Sequence, residues 1–234
     1  MATRALEIVP GVYRVPLGMV NAFILDSADG LVVIDAGTPG AEERILAAVA
    51  SIGHTTDDVR HILVTHLHGD HIGGLQALRK RTCAQVWMHA ADAKLASRGF
   101  TRRAFTPASR ANPIVRLGMR AQRSVMPVEV SHLVEDGDLL PVAGGVRVIH
   151  TPGHTVGHVA FLAEVGGGVL FVGDAAAHMT RLGLSMLYED EQRGRQSLAK
   201  LARLDFDVAC FAHGRPIVGG ASGRFRARWG AARV

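Results

Sequence analysis

Cysteine is nearly absent from this chain of 234 residues: Cys83 and Cys210 are the two present. So few, so far apart, they build no disulfide framework, and neither has a neighbour at metal-binding spacing. Each lies beside an expected strand, which predicts buried, reduced thiols. Long hydrophobic runs are missing as well. No stretch approaches the roughly 20 apolar residues of a membrane span. The opening "MATRALEIVPGVYRVPLG" lacks the uninterrupted apolar core of an export signal, so a cytoplasmic location is expected. No linker divides the chain and no solenoid-type repeat is visible, which predicts one domain over residues 1–234. Acidic residues are missing between Lys94 and Arg123, where eight basic residues lie, within a chain of net charge +5. That stretch is either a solvated basic face or a holder of anions.

What is present begins with 48% hydrophobic and 20% charged residues, the balance of a chain with a packed core. Apolar, β-branched runs punctuated by Pro, Gly and Asp-Gly predict strands at "ALEIVPGVYRVPL", "VNAFILD", "GLVVIDAG", "RHILVTH", "AQVWMHA", "GVRVIHTPG", "HVAFLAEV", "GVLFVGDA" and "DVACFAH". Between them, "TPGAEERILAAVASIG" predicts a helix with Thr38 as N-cap, Pro39 at its first position and Gly53 as its stop. Further helices are predicted from about His71 to Lys80, from Glu189 to Leu204, and in the Arg-rich C-terminal stretch. Residues 91–128 read as irregular, helical in places and broken by Pro107, Pro113 and Pro127. Mixed strands and helices in this order suit an α/β fold with helices packed outside sheets.

The densest chemistry is "THLHGDHIGG", directly after an apolar strand. His66, His68, Asp70 and His71 crowd imidazoles and a carboxylate into six positions, a donor set that suits a divalent cation of the zinc type. Its partners should also stand at strand ends, where a rigid scaffold delivers side chains into a shared cleft. Three places qualify: His154 in "HTPGHTVGH", Asp174 in "LFVGDAAAH" and His213 in "VACFAHGRP". His178, four residues after Asp174, is a candidate substrate contact. His150 and His158 read as structural or supporting, His89 as a core or rim residue.

The set "HLHGDH", "TPGHT", "FVGDA" and "FAHG", in this order, resembles the metallo-β-lactamase fold superfamily, and "VVIDAG" with Asp35 matches its first signature. The resemblance spans roughly residues 8–220. It implies a four-layer αββα sandwich of two mixed β-sheets flanked by helices, with a dinuclear site at one edge. Carried over residue by residue, it places His66, His68 and His154 on one ion, Asp70, His71 and His213 on the other, and Asp174 between them. Two zinc ions per chain are expected, although iron or manganese suits the same donors. Water caught between two cations is deprotonated near neutral pH, since one zinc alone lowers its pKa to about 7.

Within that superfamily the motif layout is similar to glyoxalase II-like thioesterases and to N-acyl homoserine lactonases. Only 21 residues follow His213, too few for the helical extension with which the thioesterases hold glutathione. Ala177 stands where the lactonases place a tyrosine. The reaction expected is therefore hydrolysis of an acyl substrate (ester, thioester or lactone) by a metal-bridging hydroxide that Asp70 helps orient. A phosphodiesterase or nuclease of the same fold, a β-lactam hydrolase and a non-catalytic metal binder are the alternatives. The segment around 91–128 is predicted to form a lid, with Arg102, Arg103 and Arg110 holding an anionic end of the substrate. The expected partner is a small molecule; nucleic acid is not expected, and a homodimer stays open.

Overall fold

The computed structural model describes residues 3–101 and 124–231. The first half of the chain forms a seven-stranded sheet whose spatial order follows the sequence: β1 (Leu6–Val9), β2 (Val12–Pro16), β3 (Asn21–Ser27), β4 (Gly30–Ile34), β5 (Val59–Leu63), β6 (Gln85–His89) and β7 (His132–Val134). Strands β1 to β4 pair antiparallel, and β4 to β7 pair parallel. The parallel connections carry α1 (Glu42–Ser51), α2 (Gly69–Ile72), α3 (Leu75–Thr82) and α4 (Ala90–Ala96). The second half adds β8 (Leu139–Leu140), β9 (Val146–His150), β10 (Val159–Ala163), β11 (Val169–Gly173), a small hairpin of β12 (Ala177–His178) and β13 (Leu182–Gly183), α5 (Glu191–Leu201), β14 (Val208–Phe211), β15 (Ile217–Val218) and α6 (Ala221–Trp229). Six of these strands make a second mixed sheet, ordered β15-β14-β11-β10-β9-β8, in which the β11–β14 pair is parallel.

Alternation along the strands explains the layering, because successive side chains point to opposite faces. In β3 and β4, Ala22, Ile24, Leu31 and Val33 pack towards α1 and α3, while Phe23, Leu25, Val32 and Ile34 face the second sheet. In β10, β11 and β14, Phe161, Phe171 and Cys210 meet them from the other side, with Phe23 and Phe171 ring centroids 5.5 Å apart. The opposite faces of those strands, Leu162, Leu170 and Phe211, pack on Leu198, Phe225 and Trp229 of α5 and α6. Helix, sheet, sheet, helix: the four-layer expectation holds. Both faces of each central strand are buried, which is why these strands read as unbroken apolar runs. Each buried Leu, Ile, Val or Phe contributes about 1.5–3 kcal/mol.

Local details depart from the sequence reading. Helix α1 starts after Ala41 instead of at Thr38, because Gly40 takes φ 86°, outside the helical region, and Thr38 closes a turn onto Ala41. The helix expected from His71 is two short ones broken at Gly73 and Gly74. Each glycine lies against the loop after β4: a Cβ on Gly73 would strike Pro39, and one on Gly74 would come 2.6 Å from the Ala36 carbonyl. Helix α4 stands at the start of the segment expected to be irregular and helical in places, in keeping with that expectation. The strands β8, β12, β13 and β15, two residues each, were too short to show a period in sequence.

Cys83 is exposed, contrary to the expectation of two buried thiols. It ends α3 with φ 55°, a terminus that turns its side chain out of the core. Cys210 is buried between the sheets, and burial pushes its thiol pKa up. One of the two cysteines should therefore react with Ellman's reagent in the native protein, and both in denaturant. Two fast equivalents under native conditions would contradict this packing.

Candidate metal centre

Every candidate ligand follows the carboxyl end of a strand. His66, His68, Asp70 and His71 come after β5, His154 after β9, Asp174 directly after β11 and His213 after β14. These ends meet because the two sheets are stitched together there. Val159 N–H donates to the Thr65 carbonyl (2.9 Å). The Asn21 side-chain amide donates to the carbonyls of Phe211 (3.1 Å) and Gly214 (2.9 Å). Gly173, with φ 55°, leaves room for the His158 ring, whose Nε2 accepts from the Asp174 N–H at 3.0 Å and so fixes the aspartate's backbone.

All seven candidates converge, in three overlapping groups: His66, His68 and His154; His66, His71 and Asp174; Asp70, His71 and His213. Within each group the potential ligand atoms lie within 4.8 Å of one another. His66 Nε2, His68 Nδ1 and His154 Nε2 are separated by 2.8–3.1 Å. Asp174 Oδ2 lies 3.4 Å from both His154 Nε2 and His213 Nε2, and Asp70 Oδ2 lies 3.4 Å from His213 Nε2. His71 Nε2 is 3.8 Å from a carboxylate oxygen of each aspartate.

Ring orientation follows from what each outer nitrogen touches. His154 Nδ1–H donates to the Leu187 carbonyl (2.7 Å) and His213 Nδ1–H to the Met19 carbonyl (2.8 Å). His71 Nδ1–H donates to Asp35 Oδ2 (2.8 Å). The Thr65 hydroxyl donates to the same carboxylate and so accepts from His66 Nδ1–H at 3.0 Å. In the neutral form, all four rings then aim an Nε2 lone pair inward. Lone pairs 3.1 Å apart on His66 and His154 repel unless a cation lies among them. His71 Nε2 and Asp174 Oδ1 are buried with no hydrogen-bond partner, a costly arrangement that a metal ion removes. The donor set therefore fits divalent cations.

Electrostatics divide the site. Burial holds His66, His154 and His68 neutral, with the pKa of His68 pulled down to about 3. Burial also opposes charge on His71, but Asp35, Asp70 and Asp174 outweigh it and push its pKa up to about 9. Asp174 raises His213 further, to about 11. Both Asp70 and Asp174 stay ionised far below the usual carboxylate range: their buried charge is offset by His71 for Asp70 and by His213 for Asp174.

Other residues fall into place around this cluster. His178 N–H donates to the His213 carbonyl (3.1 Å) and its Nδ1–H to the Arg215 carbonyl (2.9 Å); its ring belongs to none of the three groups. His150 donates to the Val156 carbonyl and stacks on His89 at 4.3 Å. Arg102, Arg103 and Arg110, with the lid predicted around them, lie outside the described residues. Sequence reading gave Asp35 no role; its place is to hold Thr65 and His71 from a left-handed backbone conformation, φ 61°, that Asp tolerates better than most residues. Tyr188 was also missed. Its ring centroid lies 6.1 Å from that of His154, but its hydroxyl donates to the Ala175 carbonyl and accepts from Ser185 N–H, which makes it a strut.

Known proteins agree with this architecture. The chain is 30% identical over 171 residues to the hydroxyacylglutathione hydrolase of Rhodopseudomonas palustris, covering 71% of this chain and 52% of that protein. It thus spans about half the length of the hydroxyacylglutathione hydrolases it matches. It is 24% identical to the probable metallo-hydrolase YflN of Bacillus subtilis, covering 91% of this chain and 87% of the relative. A solved variant of the metallo-β-lactamase of Cronobacter sakazakii superposes with TM-score 0.77 at 22% identity, over 97% of this chain and 94% of that one. The sequence profile of the metallo-beta-lactamase superfamily matches residues 15–213, a span that runs from β2 to His213 and takes in every residue of the cluster. With the four layers and the convergent strand ends already in view, that match is decisive: the chain belongs to the metallo-β-lactamase superfamily.

Proposed function

We propose that this protein is a dinuclear metal hydrolase of acyl compounds, with zinc as the metal. The observation that carries the reading is the convergence of seven nitrogen and oxygen donors in overlapping groups joined through His66 and His71, with the Asp174 carboxylate 3.4 Å from both His154 and His213. His66, His68 and His154 would hold one ion, Asp70, His71 and His213 the other, with Asp174 between them. When bound, such a pair supplies Lewis acidity and an ionised water at neutral pH. The chain's own residues do the rest. Neutral imidazoles would leave a bound ion strongly electrophilic, and Asp70, beside His213, would orient the attacking water. The reading needs no protein nucleophile, since water is the attacking group, so no covalent acyl-enzyme is expected.

The rim favours an acyl group over a phosphodiester. Met19, whose carbonyl holds His213, is 89% exposed. Met186, next to the Leu187 carbonyl that holds His154, is 70% exposed, and Met179, after His178, is 65% exposed. Loops that position the ligands thus carry exposed, adaptable apolar side chains, which suit an aliphatic chain and not a phosphate backbone. Arg215, exposed beside Gly214, offers a cation for an acidic end.

Metal-replete protein assayed against thioesters, lactones, β-lactams and bis-p-nitrophenyl phosphate tests the reading, together with elemental analysis. Two ions per chain and kcat/KM highest on an acyl substrate with an aliphatic group are expected. Activity confined to the phosphodiester would transfer the site to the nuclease reading.

A further inference from the structure

Asp92 lies in the first turn of α4, fully buried, outside every candidate ligand group. Its Oδ2 accepts from the Leu67 N–H (3.2 Å) and from the Thr155 hydroxyl (2.7 Å), and its Oδ1 accepts from the Gly157 N–H (3.1 Å). Leu67 stands between His66 and His68; Thr155 directly follows His154. One carboxylate therefore ties together the two loops that deliver the three nitrogens of the first group, loops 86 or more residues apart in sequence. The fit leaves no slack: a Cβ on Gly157 would come 2.6 Å from Asp92 Cγ. The second group is anchored separately, through Asp35 on His71 and the Met19 carbonyl on His213.

We propose that Asp92 is a positioning residue that sets the spacing of His66, His68 and His154, and so governs the metal affinity of that group and not of the other. The inference rests on the metal reading above. A carboxylate suits the task because Oδ2 accepts from both loops at once while Oδ1 adds a second tie to the loop after β9. Loosening the tie lets two independent loops drift, and a metal site tolerates deviations of only a few tenths of an ångström. Outer partners of this kind typically change metal affinity 10–100-fold.

The test titrates metal-free protein with Zn²⁺ in a competing chelator and follows binding by calorimetry. His213→Ala strips the second group and marks the event that belongs to the three histidines. In that background Asp92→Ala should weaken the remaining event about 10–100-fold. In the otherwise intact chain, Asp92→Ala should weaken the same event and leave the second within about threefold. Asp92→Asn keeps one of the two acceptor oxygens and should fall between wild type and alanine, which preserves the test should the alanine variant fold poorly. Wild-type affinity in the Asp92 variants, or parallel loss of both events, would overturn the inference alone. A wild-type chain that shows no such event would overturn the metal reading, and this inference with it.

Discussion

The Asp174→Ala variant is expected to lose more than one ion's worth of metal and on the order of a thousandfold in kcat/KM, since each ion's charge stabilisation is worth several kcal/mol. Its carboxylate reaches both histidine clusters, with Oδ2 3.4 Å from His154 Nε2 and from His213 Nε2 and Oδ1 3.8 Å from His71 Nε2. Among the described carboxylates of the three groups, Asp174 is the one that lies this close to both His154 and His213, since Asp70 reaches His71 and His213 only. The backbone should stay in place, because His158 holds the Asp174 N–H without the side chain. Elemental analysis and a thermal melt on the purified variant check this. Retention of one full ion with activity within tenfold of wild type would show that the carboxylate serves one ion only.

Metal binding to the two groups should respond to pH differently, by a wide margin. His71 and His213, with pKa values near 9 and 11, both carry protons at neutral pH, and a cation must displace them. Each displaced proton steepens binding by about tenfold per pH unit, so affinity for the Asp70–His71–His213 group should rise about a hundredfold per unit between pH 7 and 8, and less steeply as pH approaches the His71 pKa. The three-histidine group, kept neutral chiefly by burial, should be nearly flat over that range. In metal-free protein the sign reverses. A histidine whose folded pKa is raised to about 9 from an unfolded value near 6.5 contributes stability fully present below about pH 6.5. That contribution is lost as pH rises through about 9. The melting temperature of the metal-free chain should therefore fall from pH 6.5 to 9 while stabilisation by added metal grows. Chelator-buffered titrations at three pH values measure both slopes; equal slopes for the two groups would contradict the charge division.

The sequence by itself determined the donor set. His66, His68, Asp70 and His71 sit so close along the chain that their chemistry is legible without a fold, and His154, Asp174 and His213 announce themselves at strand ends with small neighbours. The apolar runs and their order also gave strands buried on both faces with helices outside them, while the four-layer sandwich of two sheets was legible only through the resemblance of the motifs to the superfamily. Only the tertiary structure decided which nitrogen each ring turns inward, because the deciding partners, the carbonyls of Met19 and Leu187 and the carboxylate of Asp35, lie 33 to 194 residues from the rings they hold. The same holds for Asp92, which looks like any helix-surface aspartate until α4 packs against the two ligand loops. Cys83 and the break at Gly73 and Gly74 were illegible for a related reason: helix ends and corners are set by what packs against them, and a local pattern of apolar residues carries no information about a neighbour that arrives from elsewhere in the chain.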